Sequence, residues 1–186
     1  MNREMFKSIR NCFSLMAAIA FAVTAPQTAL ARQDKASVYK VVEAGIEFTV
    51  PTGWEAEKDT NGTVTVSRKE NDTYVVIAVT VLPTDPSLTL DKEFAAFSEG
   101  IFDSVKKDWK NYKADEISKR TQAGMPIVVQ SFSGTAPDAG GDLEGLAIVV
   151  GSAKPIGIFA QRTKKHSDTL AKEITEFLGS IKKIEP

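Results

Sequence analysis

The chain has 186 residues, 42% of them hydrophobic and 25% charged, with a formal net charge of −1, one cysteine and one histidine. That balance leaves no basic footprint for nucleic acid, one cysteine cannot build a disulfide framework, and one histidine falls short of the N and S ligands of a zinc site. A length of this order supports one domain with its own apolar core.

Arg3, Lys7 and Arg10 precede an apolar stretch from Cys12 to Ala25, and Ala29, Leu30 and Ala31 follow as a small-residue site. This is the order of a signal peptide, so residues 1–31 are expected to be cleaved after Ala31. The stretch is shorter than the roughly 20 apolar residues of a membrane-spanning helix, and an uncleaved anchor is the alternative. A lipoprotein site needs a cysteine directly after the stretch, whereas Cys12 stands before it. Cleavage removes the cysteine and three of the four methionines and moves the net charge from −1 to −3. A cysteine-free exported domain fits a bacterial periplasm. The sequons Asn61-Gly62-Thr63 and Asn71-Asp72-Thr73 are accordingly read as chance matches on turns.

Residues 32–37 are polar or small and read as a tether, with one globular domain expected over 38–186. Val38–Val42 and Ile46–Val50 are short strands, the second alternating Ile46, Phe48 and Val50 with Glu47 and Thr49, so that one face is buried. Pro51-Thr52-Gly53 turns the chain before Trp54. Residues 54–58 leave extended, Asp59–Gly62 turns again, and Thr63–Arg68 alternates Val64 and Val66 with polar neighbours. After Asn71-Asp72, Tyr74–Leu82 is a near-continuous β-branched run, the pattern of a central strand covered on both faces.

Pro83–Leu88 breaks that pattern, and from Thr89 the period lengthens to nearly four. Phe94, Phe97, Ile101, Val105 and Trp109 fall on one helix face, with Asp91 and Glu93 in the first turn and Lys106, Lys107 and Lys110 in the last, matching the helix dipole. Tyr112–Arg120 is a weak strand. Beyond the turn at Ala123–Pro126, the strands Ile127–Thr135, Leu143–Val150 and Pro155–Thr163 are joined by connections short enough to make them antiparallel neighbours. Ser167 is placed to cap a final helix with Asp168 in its first turn, a stripe of Leu170, Ile174, Phe177, Leu178 and Ile181, and Lys182 and Lys183 at its carboxyl end. Strand runs with one helix between them and one after give an α+β fold, a mainly antiparallel sheet of about six to eight strands packed between helices.

The segment Gly45-Ile46-Glu47-Phe48-Thr49-Val50-Pro51-Thr52-Gly53-Trp54, an alternating strand running into Pro-x-Gly-Trp, resembles the start of the PsbP-like superfamily. The element order and the closing Phe177-Leu178-Gly179-Ser180-Ile181 agree, so the resemblance runs from about Gly45 to Lys183. It implies an α/β/α sandwich and a binding or assembly role, since members include an accessory subunit of the photosynthetic oxygen-evolving complex and a nuclear partner of the GTPase Ran. Its motifs are structural, and no metal or chloride ligand carries over to a position here.

Several residue groups are weighed for chemistry. His166, between Lys164-Lys165 and Ser167-Asp168, is expected in an exposed cap region, because consecutive side chains diverge and cannot form a triad. Asp138, Asp142 and Glu144 could offer oxygens to calcium, but their spacing is not that of an EF-hand loop, and an exposed hairpin tip is the expectation. Gly140 and Gly141 lack the lysine and following helix of a phosphate loop, and Ser131 and Ser133 alternate along a strand without a nucleophile elbow. Trp109 closes the helix stripe and is read as core. Trp54 is read as a core plug, with a partner-binding anchor as its alternative. No catalytic residue, cofactor or metal is therefore assigned. The expected function is an exported, non-catalytic protein that binds or helps assemble another envelope component, with a carrier of a small apolar ligand or a carboxylate-based hydrolase as alternatives.

Overall fold

Alternation of inward and outward residues sets the first elements. The computed structural model describes residues 35–83, 85, 87–136, 141–166 and 168–185; the expected leader, most of the tether, and the residues Asp138, Gly140 and Ser167 lie outside them. Strand β1 (Ser37–Val41) exposes Val38 and Lys40 and turns Tyr39 and Val41 inward. One 3-10 turn, Val42–Ala44, ends at Gly45 with φ of 65°, the left-handed backbone that glycine adopts without strain. Strand β2 (Ile46–Val50) then buries Ile46, Phe48 and Val50 and runs antiparallel to β1.

The larger sheet is built from β3 (Glu55–Lys58), β4 (Val64–Glu70), β5 (Thr73–Val81), β6 (Lys110–Ala114), β7 (Ser118–Gln122), β8 (Met125–Ala136), β9 (Gly141–Val150) and β10 (Ile156–Thr163). Helix α1 (Leu90–Asp108) separates β5 from β6, and α2 (Asp168–Gly179) follows β10. Eight strands pair antiparallel in the order β3-β4-β5-β10-β9-β8-β6, with β7 also on β8. The fold is α+β, and the β-branched run β5 lies inside the sheet between β4 and β10.

Two local expectations are corrected. The weak strand at 112–120 is divided into β6 and β7 along one edge of β8, with a register shift between Lys110 and Lys113. Asp115 makes the break: its N–H donates to the Ser131 carbonyl, its carboxylate accepts the Ser131 hydroxyl, and its carbonyl accepts the Gln130 amide at 2.8 Å. A bulged edge rich in Lys and Arg resists pairing with other chains. Lys182 and Lys183 are not the carboxyl end of α2. They form β11 (Lys182–Lys183), on the free side of β2 with Lys182 opposite Glu47. Ile181 is buried just before it, which draws the chain off the helix axis and into the small sheet β1-β2-β11.

Each face of the large sheet has its own core. Phe94, Phe97, Ile101 and Val105 of α1 pack with Phe102 on Val128, Phe132, Ala147 and Val149. Glycines in the sheet make room for the rings: an added Cβ would stand 2.3 Å from the Phe97 ring at Gly157 and 2.4 Å from the Phe132 ring at Gly145. On the opposite face, Leu170, Ile174 and Phe177 of α2 join the inner side of the small sheet over Ile77, Ile148 and Ile158. The result is three layers, with α1 on one side of the large sheet and α2 with the small sheet on the other.

Candidate functional site

The Pro-x-Gly-Trp turn is closed by the Trp54 N–H on the Pro51 carbonyl at 3.3 Å, with Gly53 at φ of 82°. This swings Trp54 under α2, where it is fully buried and stacked on Phe177 at 6.3 Å between centroids. Of the two readings of Trp54, the place it occupies is that of a core plug. Phe48 meets the edge of Phe177 at 5.3 Å, and Tyr39 stacks on Phe48 at 5.9 Å, so the aromatic column crosses from α2 to β1.

A buried indole N–H needs an acceptor, and Trp54 Nε1 donates to Glu173 Oε2 at 2.9 Å. Arg68, on the same β4 face as Val64 and Val66, donates from Nη1 to both oxygens of that carboxylate, 2.7 Å to Oε1, and from Nη2 to Glu70 at 3.0 Å. Arg68 and Glu173 are only 22% and 19% exposed. A carboxylate that accepts from an indole and is gripped by a guanidinium is a fastener, since its lone pairs and charge are already committed. It ties the turn, the sheet and α2 together. The sequence held two signals for this group that went unused: Arg68 continues the inward alternation of Val64 and Val66, and a buried tryptophan calls for a nearby acceptor.

A second polar group lies at the start of α2. Arg162 Nε and Nη2 each reach Glu144 Oε1 at 2.7 Å. His166 Nδ1 stands 2.9 Å from the Lys164 carbonyl, 3.2 Å from that of Thr163 and 4.0 Å from Glu144. Two carbonyl acceptors place the proton on Nδ1. His166 is half-buried and corrects the expectation of an exposed cap region, because its Nδ1 turns in to the carbonyls of Thr163 and Lys164. Asp142 is exposed and accepts the Thr135 hydroxyl at 2.7 Å, so Asp142 and Glu144 turn to different partners. Among the described residues no three His, Asp or Glu side chains converge as metal ligands. Ser131 and Ser133 are half-buried on β8, and the Ser131 hydroxyl donates a hydrogen bond to the Asp115 carboxylate.

Burial perturbs two groups near α1. Glu93 is buried in the first turns of the helix, which raises its carboxyl pKa above 4.5; the Asp85 backbone N–H opposes the rise and the Asp85 charge adds to it. Tyr112 has its pKa raised by burial, its hydroxyl has no partner, and Lys106 lies 5.6 Å from the ring centroid. An apolar crevice between the end of α2 and the sheet is floored by Ile127, Ile148 and Ile158 and rimmed by Arg120 and Gln122, with room of about 10 Å³. That holds roughly one water, far below the ~300 Å³ or more of a small-molecule pocket. Gln122 closes its mouth by donating to the Leu178 carbonyl at 2.7 Å.

No family model matches the chain, and no curated protein does. Among solved structures it is similar to cyanobacterial PsbP (CyanoP) from Synechocystis sp. PCC 6803, with a TM-score of 0.54 at 17% identity over 86% of this chain and 97% of that one. The fold is PsbP-like. The Ran-binding protein Mog1p of Saccharomyces cerevisiae has a TM-score of 0.49 at 8% identity, covering 82% of this chain and 97% of its own. LpqN, involved in cell envelope biogenesis of Mycobacterium tuberculosis, has a TM-score of 0.48 at 14% identity, covering 80% and 85%. In the PsbP-like architecture seen here, the residues that carried the resemblance at Gly45–Trp54 are the strand and turn that seat Trp54 against Glu173.

Proposed function

We propose that this PsbP-like domain is exported and acts without catalysis, binding or helping to assemble another component of a bacterial cell envelope. The amino-terminal pattern supports export to the periplasm with cleavage after Ala31. The observation that carries the non-catalytic reading is Glu173, whose partly buried carboxylate is bound by Arg68 and Trp54 as a fastener between α2 and the sheet. Among the described residues no helix is long and apolar enough to cross a membrane. The test is photo-crosslinking in intact cells with a probe placed in turn at Val42, Glu99 and Ile117, all exposed. One reproducible envelope adduct confined to one of these positions supports the proposal. No adduct at any of them, together with a hydrolase activity lost in Glu144→Gln, would replace it with the enzyme reading.

A further inference from the structure

Among the described residues three large apolar side chains are markedly exposed: Val38 at 57%, Val42 at 78% and Ile117 at 54%. Val38 and Val42 stand four residues apart on β1 and the turn after it, with exposed Lys40 between them. Alternation puts Val38 and Lys40 on the outer face of the small sheet, since Tyr39 and Val41 pack inward. Across the ladder Lys40 faces Glu47 and Glu47 faces Lys182, with Nζ to carboxylate distances of 3.8 and 3.3 Å. One glutamate therefore serves two lysines. Beside the turn at Val42, exposed Lys154 pairs with Glu43 at 2.9 Å. On this face two lysines meet one glutamate, an excess of positive charge on a chain whose net charge from Arg32 onward is −3.

We propose that the outer face of the small sheet rests on an anionic lipid surface. Protein hot spots are anchored by aromatic or arginine side chains seated in pockets, and lysine is depleted in such interfaces. Short aliphatic side chains alternating with lysines match an interfacial membrane contact, in which the apolar groups enter the headgroup boundary and the lysines meet the anionic headgroups. The inference is separate from the partner reading above, and its failure leaves that reading untouched.

The test uses the chain from Arg32 onward, which keeps both cores, since their residues lie between Tyr39 and Ile181. Cosedimentation with vesicles of phosphatidylglycerol in phosphatidylcholine is expected at low salt, with none on phosphatidylcholine alone and release at high salt. Lys40→Gln and Lys182→Gln should each weaken binding about fivefold, and the double change Val38→Ser with Val42→Ser should weaken it comparably. Ile117→Ser, on the edge of the other sheet, should leave it unchanged. All these positions are exposed, and unchanged thermal melts confirm folding. Absence of binding to phosphatidylglycerol vesicles overturns the proposal, as does an equal loss in Ile117→Ser. A dimer that dissociates in the valine double variant overturns it too, because the face then covers a second copy.

Discussion

Replacing Gly157 with alanine tests how α1 is seated. The new methyl would stand 2.3 Å from Cε2 and 2.7 Å from Cδ2 and Cζ of Phe97, whereas carbon atoms prefer about 3.5–4.0 Å. The ring is buried among helix and sheet side chains and has nowhere to retreat without moving α1. Overpacking of this kind costs about 1–3 kcal/mol, more than the roughly 0.4–1 kcal/mol gained by restricting the unfolded chain. Phe97→Ala should cost about 3–5 kcal/mol by leaving a void. In the double variant the alanine methyl enters that void, so the two losses should fall short of their sum by about 1–3 kcal/mol. Glu99→Ala, on the wet side of α1, should change stability by less than about 0.5 kcal/mol. Urea titrations followed by circular dichroism, with unchanged m values, give all four free energies. Losses that add within about 0.5 kcal/mol would show that Phe97 does not sit over Gly157.

Arg68→Ala should cost about 1–3 kcal/mol, because Glu173 loses its charged donor, and should shift Trp54 emission to the red in a Trp109→Phe background; an unchanged midpoint and spectrum would show that the pair does not hold α2. Glu93 has its folded pKa raised by burial, so the folded state binds the proton more tightly, and stability should fall as pH rises from 4.5 through the folded value. Glu93→Gln should remove that fall, gaining on the wild type between acid and neutral pH, and parallel melting curves across that range would refute it. Intact mass of the exported protein should give Arg32 as its first residue, and a mass including residues 1–31 would establish the anchor. A chelator should leave the melting temperature unchanged, whereas a drop reversed by one metal would point back to Asp138, Asp142 and Glu144.

The parts of this fold that could be read in advance are those in which one short-range rule decides. Phe94, Phe97, Ile101 and Val105 return at helical intervals and all are buried on α1. The hairpins from β8 to β10 follow from short connections, and the Gly45–Trp54 segment carried the resemblance that the fold agrees with. Strand partners distant in sequence were out of reach. Nothing local tells Lys182 to face Glu47, which lies in the second strand, or β5 to lie beside β10. The Arg68–Glu173 fastener joins residues 105 apart, and each looks like an ordinary surface charge until the topology superposes them. Glu93 was legible as a first-turn acid but not as a buried one, since its burial depends on the Asp85 segment folding against it.

The position of β11 also sets an order of events. β2 is held on one side by residues near the amino end of the domain and on the other by Lys182–Lys183, while the core above Phe48 and Trp54 is closed by Phe177 of α2. In a chain that emerges amino end first, those closing pieces follow every other element of the fold. Phe177 and Lys182–Lys183 thus act as a latch, because the inner face of the small sheet and the core around Trp54 are complete only once they are in place.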